Sequence, residues 1–291
     1  MKRSSNFIPH LFASISVIVW GVTFVSTKVL IGQGLTPLQI FVYRFALAYV
    51  CMLPLMRRLW ANSLKDEIYL ALGGLSGGSL YFLTENTALG ITFASNVSLL
   101  ICTAPIFTII LDRIIWKTPL RKSLLGGSLI ALVGVAVVII NGNLEFKISP
   151  LGDFLTIVAA ILWAIYSIIV RKLSRTYDTF FISRKVFFYG VVSVLPLFIL
   201  STTPAELTLL GRSAVWSNIM FLGIMASMLC YMMWNVSVKA LGADKASNYI
   251  YVNPLVTIIA SAIFLGEPLT IFTFIGAAAI IGGVFIAERC G

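Results

Sequence analysis

Ten stretches of about twenty apolar residues follow one another along this 291-residue chain, separated only by short polar breaks. A helix needs about 20 apolar residues to cross hydrocarbon, and in lipid every backbone N–H and C=O must be satisfied within its own segment. The pattern predicts an all-α integral membrane protein, with spans near residues 9–31, 38–56, 68–89, 94–111, 124–140, 152–170, 180–200, 216–241, 246–265 and 271–287. Charge supports this, since 11% of residues are charged, against about 25% in a soluble domain. No soluble domain fits between the runs.

The second half repeats the first. Ala94-Ser95-Asn96 recurs as Ala246-Ser247-Asn248, Trp20 as Trp163, and Tyr81 as Tyr231. Pro105, Pro119, Gly127 and Gly134 recur as Pro254, Pro268, Gly276 and Gly283 at a constant offset. The turn-rich stretch at 141–150 is the natural boundary, so the chain is expected to comprise one repeat over 1–145 and a second over 146–291. Five crossings is an odd number, so the second repeat must insert upside down. Two inverted five-helix repeats sharing a midplane site are the layout of many secondary transporters.

The net charge of +10 could point to nucleic acid, but its placement gives a simpler cause. With the amino end inside, 17 of the 21 Lys and Arg residues fall on the cytoplasmic side. This is the positive-inside bias, and it predicts both termini in the cytoplasm with the lipid bilayer, not nucleic acid, as the partner. The four cysteines have no metal-ligand spacing. Neither a metal, another cofactor nor a nucleophile–base set is indicated, and the single histidine, His10, lies near the amino end. The expectation is therefore not an enzyme.

Several segments carry a family resemblance: Trp20-Gly21, Arg44 within Tyr43-Arg44-Phe45, Tyr231 to Asn235 followed by Ala240-Leu241-Gly242, and Pro254 followed by Leu265-Gly266-Glu267-Pro268-Leu269. On these the chain resembles EamA-type members of the drug/metabolite transporter superfamily. The first half departs from the last pattern, reading Trp116-Lys117-Thr118-Pro119-Leu120 without the Glu. The resemblance implies ten helices in two repeats and a carrier exporting small metabolites, often amino acids, in a bacterial inner membrane. A sugar or nucleotide-sugar carrier of the same superfamily, or a non-transporting receptor or partner subunit, is an alternative, because one fold serves many cargoes. The sequence does not set an oligomeric state.

Polar side chains in a span are costly and need a reason. Glu85 is the one acid well inside a predicted span, a helical turn from Tyr81, and Tyr231 and Asn235 repeat that spacing. Tyr249 and Asn253 lie a turn apart ahead of Pro254. With Trp20 and Trp163 these residues are the candidate wall of a central substrate cavity, suited by its aromatic character to amphipathic cargo. Packing is the competing reading for each Trp. Glu85, whose repeat mate is neutral Asn235, is also a candidate proton site. Arg44 is a candidate contact for a substrate charge, although long basic chains near helix ends also anchor at the membrane surface.

Overall fold

The computed structural model describes residues 7–55, 58–92, 94–117, 122–140, 149–202, 208–265 and 271–289. Glu267 and Pro268 of the Leu265–Leu269 motif, and Thr118 to Leu120 of its first-half counterpart, lie outside the described residues. The described chain is helical, with no strand. The first half contains α1 (Phe7–Gly32), α2 (Pro37–Met52), α3 (Leu64–Gly74), α4 (Leu80–Ile91), α5 (Ala94–Ile101), α6 (Ala104–Trp116) and α7 (Lys122–Ile140). The second contains α8 (Pro150–Leu173), α9 (Thr179–Ser201), α10 (Ser213–Met220), α11 (Cys230–Leu241), α12 (Ala243–Ser247), α13 (Asn253–Leu265) and α14 (Ile271–Arg289). Four helical runs are long and apolar enough to cross a bilayer unaided: α1, α8, α9 and the run Ser213–Leu241.

Local chemistry sets the helix ends. Thr36 accepts from the Gln39 N–H while the Gln39 side chain accepts from the Thr36 N–H, a reciprocal cap that starts α2. The Ser63 and Asp178 side chains accept from N–H groups in the first turns of α3 and α9. Gly242, between α11 and α12, has φ +95°, a conformation open to Gly.

Four predicted spans are interrupted within their length. α3 and α4 join through a π-helical segment, Leu75–Ser79, and α10 and α11 through a longer one, Phe221–Leu229. Gly78 leaves helical geometry at φ −126°, ψ −105° and kinks the first. The expected span over 94–111 is broken between α5 and α6, where Pro105 enters the first turn of α6. Pro254 occupies the matching place in α13 and follows a 3-10 turn, Asn248–Val252. A proline has no N–H to donate backward, so it starts a helix more readily than it continues one.

The packing is reciprocal. α1 lies against α11 and α13 while α8 lies against α4 and α6; α2 lies against the second π segment and α9 against the first. α7 and α14 form the most extensive helix pair. They run antiparallel, with Gly127 beside Gly283 and Gly134 beside Gly276, and a Cβ on Gly127, Gly134 or Gly283 would meet the facing backbone. Glycines at the end of α3 and in the π segment after it serve the same purpose, Gly74 facing Gly190 of α9 and Gly77 facing the Tyr166 ring of α8.

Candidate functional site

A cavity lies where these reciprocal contacts meet. Its lining includes Trp20 and Thr23 of α1, Arg44 of α2, Tyr81, Phe82 and Glu85 of α4, Trp163 of α8, Tyr231 of α11, Asn253 of α13, and Ile101, Ala104 and Ile250 from the broken segments. Empty space between these side chains is about 460 Å³, of which about 30 Å³ is open to the centres of water-sized molecules. One water needs about 10 to 15 Å³ on that measure. As it stands the chamber has room for about two or three waters and not for a larger molecule.

Aromatic rings form most of the wall. Trp20 and Trp163 meet edge to face at 5.1 Å between centroids, Trp163 lies 5.2 Å from Tyr81, and Tyr231 lies 5.9 Å from Trp20 and 5.8 Å from Trp163. Each ring is held by its polar end or its neighbours. The Trp20 indole N–H donates to the Ala226 carbonyl at 2.9 Å, and the Tyr231 hydroxyl donates to the Gly77 carbonyl at 2.5 Å. Both acceptors belong to the π segments, whose wider turns free carbonyls that a regular helix would occupy.

Two charges share this wall without forming a contact ion pair. Arg44 is 2% exposed, donates from Nε to Ser227 Oγ at 2.9 Å, and lies 4.3 Å from the Phe82 ring centroid. It is buried in the cavity wall and does not extend into water. Glu85 is 7% exposed and accepts from the Tyr81 hydroxyl at 2.9 Å. Two further polar atoms on the wall, Trp163 Nε1 and Asn253 Oδ1, are buried with no hydrogen-bond partner. Buried polar atoms are nearly always paired, so this donor and acceptor await a ligand or water.

The structure brings together Trp20, Arg44, Tyr81, Glu85, Trp163, Tyr231 and Asn253. It places two other sequence candidates elsewhere. Asn235 accepts from the Tyr166 hydroxyl at 2.8 Å and donates to Ser183 Oγ at 2.9 Å, tying α11 to α8 and α9. Tyr249 hydrogen-bonds His10. Thr23 and Phe82 were not among the sequence candidates, yet each stands three residues from one, Thr23 from Trp20 and Phe82 from Glu85. That spacing shares a helix face and was the signal available for both.

On the side opposite the α1–α2 turn, ion pairs and cation–π contacts join the halves. Arg171 of α8 pairs with Asp112 of α6, and Lys185 of α9 with Glu67 of α3, to which Tyr189 also donates. Glu67 lies ahead of the apolar run of α3. Burial pushes its carboxyl up, but hydrogen bonds from Lys185, Tyr189 and the Ala61 N–H together outweigh this and hold it below its ordinary value.

The model of the EamA-like transporter family matches the chain twice, over residues 7–140 and 150–288. An uncharacterized transporter of Archaeoglobus fulgidus is 28% identical over 286 residues, 97% of each chain. A probable amino-acid metabolite efflux pump of Salmonella typhimurium is 27% identical over 300 residues, 98% of this chain and 95% of the relative. A protein crystal structure matches over 100% of both chains with a TM-score of 0.78 at 18% identity, a likeness of fold.

Proposed function

Because the chain belongs to the EamA-like transporter family, we propose that it exports a zwitterionic metabolite, an amino acid with an apolar or aromatic side chain, by alternating access around the aromatic cavity. One observation carries the reading: Arg44 and Glu85 stand on one desolvated aromatic wall as a guanidinium and a carboxyl that do not pair with each other. Such a wall matches a ligand bearing both a carboxylate and an ammonium. Arg44 takes the carboxylate, as guanidinium groups suit planar anions. Glu85 takes the ammonium, the rings of Trp20, Trp163 and Tyr231 enclose the side chain, and Trp163 Nε1 and Asn253 Oδ1 gain partners. A nucleotide sugar would ask for several cations, and Arg44 is the one Lys or Arg in the described lining.

The two-fold match of one family model and the reciprocal packing support two inverted repeats, over 1–145 and 146–291, that rock about the cavity. With 17 of 21 basic residues on one side, the termini belong to the cytoplasm and the protein to a plasma membrane, in bacteria the inner one. The likeness to the Salmonella efflux pump supports outward transport. Glu85 is the proposed proton site, exchanging its proton for the substrate ammonium.

Counterflow into liposomes holding purified protein tests the reading. Labelled phenylalanine or leucine is expected to accumulate against an internal pool of the same amino acid, and sugars and nucleotide sugars are not. Counterflow of a sugar alone, or of nothing, rejects it.

A further inference from the structure

A second cavity lies away from the first, between the end of α2, the segment at Leu59 and Trp60, and the start of α9. Tyr49, Leu59, Trp60, Arg184, Lys185 and Phe188 line it, and about 100 Å³ is open to water-sized molecules, more than in the central chamber. Its floor is cationic. Arg184 and Lys185 are 3% and 5% exposed, so neither reaches out into water as a basic residue at a helix end ordinarily does. Lys185 is answered by Glu67 and lies 4.6 Å from the Trp60 ring. Arg184 is answered less fully. It donates to the Arg58 carbonyl and forms no ion pair among the described residues. The Asp178 carboxylate accepts from the Phe181 N–H. A buried guanidinium with five N–H donors and no carboxylate partner leaves strong donors for an anion.

The walls and rim are apolar. Leu59 and Trp60 of the lining are exposed, and Val50, next to Tyr49 in sequence, and Leu53, just past the end of α2, are exposed apolar residues too. A Trp at the edge of the spans is the residue type that settles at headgroup level. Buried cations beside exposed apolar side chains fit an amphiphile with an anionic head.

We propose that this cavity binds the phosphodiester headgroup of an anionic phospholipid, with Arg184 and Lys185 at the phosphate and the acyl chains over Leu53 and Val50. The site is separate from the transport cavity and stands on its own residues. It gives the protein a lipid partner on the face that carries its basic loops, where anionic lipid is drawn by charge.

The test is native mass spectrometry of detergent-purified protein incubated with equal amounts of phosphatidylglycerol and phosphatidylcholine of identical chains. The wild type is expected to retain phosphatidylglycerol at least fivefold over phosphatidylcholine. Arg184→Gln is expected to bring the ratio near one, and Arg184→Lys to keep part of it. Trp60→Glu places a carboxylate at the mouth on an exposed side chain, where folding is not at stake, and is expected to abolish the preference as well. Equal retention of the two lipids by the wild type overturns the proposal. Full preference in Trp60→Glu overturns it too, whether or not Arg184→Gln folds. Millimolar glycerol phosphate is expected not to displace the lipid; if it does, the site is one for a soluble phosphate and the lipid assignment fails.

Discussion

Arg44 and Glu85 are the two residues on which the transport reading is most exposed to test. Removing either charge leaves the other desolvated and removes one end of the zwitterion's match, so Arg44→Gln and Glu85→Gln are each expected to lower counterflow of labelled phenylalanine at least tenfold. A change below twofold in either variant would return that residue to a packing role. Trp163→Ala is expected to raise the half-saturating concentration for phenylalanine more than for alanine, a contrast a general packing defect would not produce. Much of this wall was legible in the sequence, because Trp20 with Trp163 and Tyr81 with Tyr231 stand out as repeated aromatics. The depth of Arg44 was not. Sequence distance from a helix end does not reveal that Ser227 and the Phe82 ring hold its guanidinium inside. Nor did helical spacing place Asn235, which one turn beyond Tyr231 faces Tyr166 and Ser183 instead of the cavity.

At the level of elements, the first π segment depends on close approach. A side chain at Gly77 would run into the Tyr166 ring, and overpacking of this kind costs about 1 to 3 kcal/mol. Gly77→Val is therefore expected to lower the melting temperature of the detergent-solubilised protein, with partial recovery when Tyr166→Leu is added. No recovery would mean that the segment, and not the contact, is what the glycine protects. Gly73 with Gly77 and Gly74 with Gly78 stand four residues apart in the sequence, a spacing that suits close helix packing, but nothing in residue type distinguishes a segment whose bonds skip one residue. Between α3 and α9 a pH test is available. Glu67 is held below its ordinary value in the folded protein, so its contribution to stability is complete above the unfolded carboxyl value of about 4.3 and fades as pH falls through its lower folded value. The melting-temperature gap between wild type and Glu67→Gln is expected to be full at pH 7 and to narrow below about pH 4. A gap that stays constant down to pH 3 would sink this assignment.

On the scale of the whole molecule, the pairing of α7 with α14 brings together glycines that the internal repeat relates. Gly127 and Gly276 are repeat mates, as are Gly134 and Gly283, and each packs on the other pair's member. Gly283→Leu is expected to reduce the yield of monodisperse protein in gel filtration far more than Gly282→Leu, because a Cβ at Gly282 meets nothing within 4 Å. Equal yields would show that the close approach is not needed for assembly. That the spans are apolar helices was readable because lipid leaves a chain few choices. Their interruptions at Thr103 and at Asn248 to Val252 were less so, although Pro105 and Pro254 stood beside them.

The π segments also bear on how such a chain changes length over evolutionary time. A one-residue deletion in an ordinary α-helix turns every side chain beyond it by about 100°, enough to carry a binding residue off its face. A π turn already holds one residue in excess, and losing it restores an α-helix with the downstream faces where they were. Leu75–Ser79 and Phe221–Leu229 are thus places where homologous chains can gain or lose a residue while Tyr81, Glu85 and Tyr231 keep facing the cavity. Alignment gaps among cavity-retaining relatives should gather there.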